Sequence, residues 1–169
     1  TSFVLEAILA NLRFISPNIF QPSFVRDNIA YSVFKVERKI NKLVGILQNV
    51  SGSSIVYCKS RRLTKEVAQL LSAQNINADF YHAGLLQEQR NEKQESWINN
   101  KTRVIVCTNA FGMGIDKADV RTVIHFDVPD CIENYYQEAG RAGRDEKKAY
   151  AVLLYNTKDE NDLETLSDK

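Results

Sequence analysis

The sequence predicts an α/β fold, with a mainly parallel central sheet covered by helices on both faces, in one domain-sized unit of 169 residues. Three observations predict it. Apolar runs such as Ser54–Cys58 and Val104–Cys107 are short and continuous, as strands buried on both faces are. Longer stretches with apolar residues at helical spacing alternate with them. Glycines gather just beyond strands, where open α/β sheets bind ligands.

Each element can be justified in order. Ser2–Leu12 puts Val4, Leu5, Ile8, Leu9 and Leu12 on one side of a short helix. Pro17 and Pro22 break the segment that follows, which reads as a linker. Asn28–Val36 alternates well enough for a strand. Ile40, Leu43, Val44 and Leu47 recur at i, i+3, i+4, i+7, the stripe of an amphipathic helix. Ser54–Cys58 is the next strand, and Leu63, Val67, Leu70 and Leu71 stripe the next helix. Ala78–Tyr81 reads as a strand, and Gln87–Asn99 as a polar helix anchored by Trp97 and Ile98. Strands at Val104–Cys107 and Val123–Phe126, a helix at Ile132–Ala139, a strand at Tyr150–Tyr155 and a helix at Asp159–Leu166 complete the chain.

Composition excludes disorder and low complexity: 44% of residues are hydrophobic and 25% charged. Lys plus Arg is 22 against 21 for Asp plus Glu, so the net charge of +1 hints at neither a nucleic-acid nor a membrane partner. The cysteines Cys58, Cys107 and Cys131 lack the spacing of a zinc or redox motif. Cys58 and Cys107 each end an apolar run and read as buried, reduced thiols, which points to a reducing compartment. No stretch approaches the ~18 apolar residues of a membrane span, and the N-terminus lacks a signal-peptide pattern.

Of seven glycines, Gly45 and Gly52 lie near the first amphipathic helix and the turn after it, and call for no special account. The other five fall in three clusters. Tyr81-His82-Ala83-Gly84-Leu85 follows a strand, and its plainest reading is a turn with an inward aromatic. Thr108 to Lys117 contains Gly112-Met113-Gly114, a pattern that can cradle phosphate on backbone N–H groups or simply turn the chain. It lacks the third glycine of the dinucleotide fingerprint. Gln137 to Asp145 holds Arg141 and Arg144 between glycines, three residues apart and so on one face of a helical turn. Guanidinium forks freed of neighbouring bulk suit phosphate; the alternative is a solvated charged loop.

Together these segments resemble the second motor domain of RecQ-family DNA helicases, from about Phe24 to Tyr155. Ile55-Val56-Tyr57-Cys58-Lys59-Ser60-Arg61 is similar to helicase motif IV, and Tyr81 to Leu85 with Arg90 to the family's Y-H-A-G-L segment. Thr108 to Lys117 is similar to motif V in its RecQ form, and Gln137 to Asp145 to motif VI. His125-Phe126-Asp127-Val128-Pro129 and Glu133-Asn134-Tyr135-Tyr136 link them as the family does. DEAD-box RNA helicases usually carry His-Arg at the start of motif VI and Ala-Arg-Gly-x-Asp in motif V; Gln137-Glu138 and Gly112 to Asp116 depart from both. Glu146 stands where many relatives have glycine after Arg-Asp, and is expected to change a turn.

The resemblance implies a RecA-like three-layer fold, with residues 1–24 as the end of a preceding motor domain plus linker and 25–169 as the second motor domain. It implies ATP shared between the two domains, with Mg²⁺ held by the first. No Gly-Lys dipeptide of a phosphate loop occurs, and neither Asp145-Glu146 nor Asp159-Glu160 follows an apolar strand, so the chain reads as half of a motor excised from a longer protein and inactive alone. The implied catalytic residues are Arg144 as arginine finger, Arg141 beside it, and Gln137. Gly112, Gly114 and Asp116 complete the nucleotide side. Ser60, Arg61, His82, Gly84 and Thr108 are the implied contacts to single-stranded DNA, within single-stranded or forked substrates. The expected setting is bacterial cytoplasm and nucleoid, or a eukaryotic nucleus, with no membrane partner. The competing reading is a non-catalytic nucleic-acid-binding or regulatory module of helicase origin.

Overall fold

The computed structural model describes residues 2–12, 25–112 and 115–167. Six strands form one parallel sheet: β1 (Ile29–Lys35), β2 (Ser53–Tyr57), β3 (Ala78–Tyr81), β4 (Val104–Cys107), β5 (Val120–His125) and β6 (Ala149–Tyr155), in the order β1-β6-β5-β2-β4-β3. The helices are α1 (Ser2–Leu12), α2 (Lys39–Asn49), α3 (Arg61–Ala73), α4 (Gln87–Ile98), α5 (Ile132–Ala139) and α6 (Thr157–Ser167).

The neighbouring interior strands β2 and β4 are the ones that read as continuous apolar runs, and every residue of both is buried. Alternate residues serve opposite faces. Val56, Val106 and Ile124 pack with Leu43 and Leu47 of α2 and Val67 and Leu71 of α3. Ile55, Ile105 and Val123 pack with Trp97 of α4 and Ala139 of α5, together with Phe111 and Ile115 from the β4–β5 connection. The layers are therefore helix, sheet, helix. Edge strand β1 is half exposed, which is why it alone reads as an alternating strand.

Helix ends follow local chemistry. Ser60 caps α3, its Oγ accepting from Leu63 N at 3.1 Å. Helices α3 and α4 both stop at an asparagine in the left-handed region, Asn75 (φ 58°) and Asn100 (φ 59°). In each the next N–H reaches back five residues, Ile76 to Leu71 O at 3.0 Å and Lys101 to Ser96 O at 2.8 Å. Helix α6 starts two residues before its expected position, because Asn156 and Asp159 exchange side-chain to backbone bonds of 3.1 and 2.8 Å. Strand β5 starts three residues early; Arg121 and Thr122 disguise its start in the sequence.

Gly52 needs more explanation than the sequence indicates. It sits at φ +96°, and a Cβ there would lie 2.5 Å from Arg121 Cγ, so it holds the turn into β2 under the Arg121 stem. The proposed boundary at residue 24 falls outside the described residues.

Candidate functional site

The sequence-marked residues form two groups, one at the carboxyl edge of the sheet and one toward its amino ends. At the carboxyl edge, β2, β4 and β3 are neighbours, so the residues following them converge. Arg61 opens α3 with its guanidinium directly over Gly84, where a Cβ would lie 2.8 Å from Nη1. Gly84 is thus required for Arg61 to lie there. His82 completes the cluster: burial, and then the Arg61 charge, push its imidazole below the usual histidine value. Its Nδ1 is buried without a hydrogen-bond partner. Thr108 N donates to Tyr81 O at 3.3 Å, which sets Thr108 beside the end of β3. Ser60 is exposed at this edge, with its hydroxyl occupied in capping α3.

The second group lies elsewhere, around the helix that follows β5. Helix α5 runs back along the sheet, and the chain then passes the starts of β1, β5 and β6. Gly143 N donates to Val120 O at 2.8 Å and Asp145 N to Ala118 O at 3.1 Å. Arg141 and Arg144 are not on one helical face. They lie in turns beyond α5 and reach different points of the β4–β5 connection. Arg141 Nη1 donates to Gly112 O at 2.6 Å, and Arg144 Nη1 to Asp116 Oδ1 at 2.7 Å. Gly112 has φ +124°, and a Cβ on it would lie 2.6 Å from Arg141 Nη2, so glycine is what lets the guanidinium lie against the backbone. Gln137 is exposed on α5, one helical turn before Arg141. Gly114 lies outside the described residues.

Several supporting residues escaped sequence reasoning. Arg26 Nη2 donates to Gly143 O at 2.8 Å and Ala142 O at 3.2 Å, and Asn28 Nδ2 to Gly143 O at 2.7 Å. These clasp the arginine loop from the start of β1. Lys117 is buried, with Nζ donating to Ile98 O at 3.0 Å and Asn100 Oδ1 at 2.9 Å, and so pins the connection beside Asp116 to the end of α4. Glu138, noted only for replacing an arginine, accepts from buried His125 at 2.8 Å. None of these pairings has a local signal, since the partners are up to 117 residues apart. Glu146 itself takes φ +62°, so a side chain sits in the left-handed region and bears the strain of this turn.

The family "helicase conserved C-terminal domain" matches residues 38–146. The chain belongs to this helicase C-terminal domain family. It is 42% identical over 155 residues to the ATP-dependent DNA helicase RecQ of Pasteurella multocida, covering 91% of this chain and 24% of that protein. It is 43% identical over 154 residues to the RecQ-like DNA helicase blm-1 of Caenorhabditis elegans, covering 88% of this chain and 15% of the relative. The domain therefore spans about a quarter or less of these relatives. Among solved structures, the E. coli DEAD-box protein SrmB superposes with a TM-score of 0.70 at 29% identity over 78% of each chain. The RecA-like three-layer fold and the RecQ-type motifs are thus both present in this helicase C-terminal domain.

What this domain can hold follows from its donors. Two guanidiniums and a glycine-backed loop fit one flank of a polyphosphate. Among the described residues no group of three or more His, Cys, Asp or Glu side chains could hold a metal ion.

Proposed function

We propose that this domain is the second motor half of an ATP-dependent 3′–5′ DNA helicase of RecQ type that unwinds duplex DNA in replication, recombination and repair. One observation carries the proposal: a single connection, Thr108 to Asp119, begins beside the Arg61–His82–Gly84 cluster and ends on the partners of Arg141 and Arg144. A segment that touches both groups is what coupling of hydrolysis to stepping requires. ATP, when bound between this domain and a preceding motor domain, supplies the phosphoryl transfer, with Mg²⁺ held by the preceding domain. Arg144 neutralises charge on the terminal phosphate as the finger, having exchanged Asp116 for that anion. Arg141, already held at Gly112 O, places the loop. Asp116 contacts the ribose side, and Gln137 orients Arg141 or the attacking water.

At the other edge, Arg61, Ser60, Thr108 and the backbone around Gly84 offer donors to the phosphates of a single strand, which carries no sequence information and suits translocation. The non-catalytic alternative is disfavoured because a domain freed from hydrolysis has no reason to keep both Arg141 and Arg144 seated on one loop.

In the full-length protein that carries this domain, Arg144→Ala is expected to abolish ATPase activity, a loss of about 10³-fold or more, while ATP binding persists. Hydrolysis at the wild-type rate would refute the finger assignment. The isolated domain is expected to show no ATPase and to bind single strands weakly. Arg61→Ala should flatten the slope of log K against log[salt] by about one contact, and an unchanged slope counts against that contact.

A further inference from the structure

We infer that Glu138, acting through His125, is a positioning residue that ties the arginine loop to the carboxyl edge of the sheet, so that a strand lying on that edge is felt at Arg141. The inference rests on the function proposed above and names a residue that function does not use.

The geometry is a buried polar chain. His125 ends β5 and is 1% exposed. Its ring stacks on Tyr57 at 5.3 Å between centroids and lies 4.9 Å from that of Tyr135, so it cannot swing. Nε2 meets Glu138 Oε2 at 2.8 Å. Glu138 lies in α5, and its backbone carbonyl accepts from Arg141 N at 3.1 Å, so carboxylate and arginine are fixed to the same final turn. The Arg141 guanidinium then holds Gly112 O at 2.6 Å, while Tyr57 OH donates to the adjacent Phe111 O at 3.4 Å. The path from His125 to the β4–β5 connection is closed on both sides.

The upper end of the chain is open. A cavity of about 280 Å³ lies between the ends of β2 and β5, lined by His125, Glu138, Lys59, Asn109 and Asn134 among others. This is the point where the connections leaving β2 and β5 run to opposite sides of the sheet. His125 Nδ1 is buried and has no hydrogen-bond partner. An unpaired buried ring nitrogen is unfavourable unless something pairs with it. A hydrogen-bond donor brought to this edge that pairs with Nδ1 polarises the ring and strengthens the bond that Nε2 donates to Glu138, as linked hydrogen bonds do. That bond ties β5 to the final turn of α5, and tightening it fixes the turn that carries Arg141.

Three variants of the full-length protein test this, with ATPase measured with and without saturating single-stranded DNA. Glu138→Ala removes the acceptor. Glu138→Gln keeps an oxygen that accepts from Nε2. His125→Phe keeps the ring stack and removes the donor. Glu138→Ala and His125→Phe should lose at least tenfold of the DNA-stimulated kcat, with the DNA-free rate and the KM for ATP within twofold of wild type, and Glu138→Gln should recover at least half of the stimulation. The inference is overturned if Glu138→Ala or His125→Phe is stimulated as fully as wild type, if stimulated and DNA-free rates fall in parallel, or if Glu138→Gln is no better than alanine. A wild-type protein whose ATPase ignores DNA would instead remove the proposed function, and this inference with it.

Discussion

Gly143 separates the two arginines of the candidate site, and replacing it by alanine should damage the fold by a calculable amount. The residue sits at φ +56°, where an L side chain costs about 1–2 kcal/mol. An added Cβ would lie 2.5 Å from Asn28 Nδ2, 2.8 Å from Ala149 Cβ and 2.8 Å from Lys147 O. Two of these are backbone or core atoms that cannot turn aside, and overpacking of this kind costs about 1–3 kcal/mol. Displacing Asn28 also strains its bonds to Gly143 O (2.7 Å) and Lys147 O (2.9 Å). Against this, alanine lowers the entropy of the unfolded chain by about 0.4–1 kcal/mol. The net expectation is destabilisation of about 2–4 kcal/mol. At about 2–4 °C per kcal/mol for a chain of this size, thermal unfolding of the 169-residue protein should move down by on the order of 10 °C. Gly45→Ala is the control of opposite sign: it lies within α2 with nothing within 4 Å of its added Cβ, so it should stabilise by about 0.5–1 kcal/mol. Urea and thermal melts of both variants decide the matter. If Gly143→Ala melts within about 2 °C of wild type, the cradle around Gly143 does not constrain the fold as described.

Three further outcomes are expected. Glu146→Gly should relieve the left-handed strain at φ +62° and stabilise by about 0.5–1 kcal/mol, read as a higher urea midpoint at unchanged slope. Burial raises the Cys58 and Cys107 thiols well above their ordinary values, whereas Cys131 is exposed, so a thiol reagent at neutral pH should label one cysteine quickly and the other two only on unfolding. Lys39 is buried, 2.6 Å from Asp159 and 3.6 Å from Asp127, with Nζ donating to Phe126 O at 2.8 Å; Lys39→Ala strands two partly buried carboxylates and should cost ~3 kcal/mol in chemical denaturation.

How far the sequence could be read depended on how local each signal was. Val104–Cys107 is identifiable because four consecutive buried residues need no partner to be recognised as a central strand. The start of β5 is not, because Arg121 and Thr122 look like a loop until Arg121 is seen to reach Lys148 O at 3.0 Å and Asp145 across the sheet's end. Glu146 looked like a changed turn because a sequence shows which residue stands where glycine is usual, but not whether the backbone yields or the side chain bears the strain.

From the sequence alone came the layered α/β architecture, the helicase motifs and the residue types able to meet phosphate. These depend on periodicity and short-range chemistry, which survive in a linear string. The resemblance divided those residues into a nucleotide side and a DNA side, and only the tertiary structure shows where each group sits. The parallel order β1-β6-β5-β2-β4-β3 sets Ser60, Arg61, His82, Gly84 and Thr108 at one edge, while the return of α5 along the sheet carries Arg141 and Arg144 toward the other. The pairing of His125 with Glu138, 13 residues apart, and of Arg26 with Gly143, 117 apart, follows from that chain path. Contacts of this kind are fixed by which strands lie side by side, and strand order is a property of the whole packed sheet.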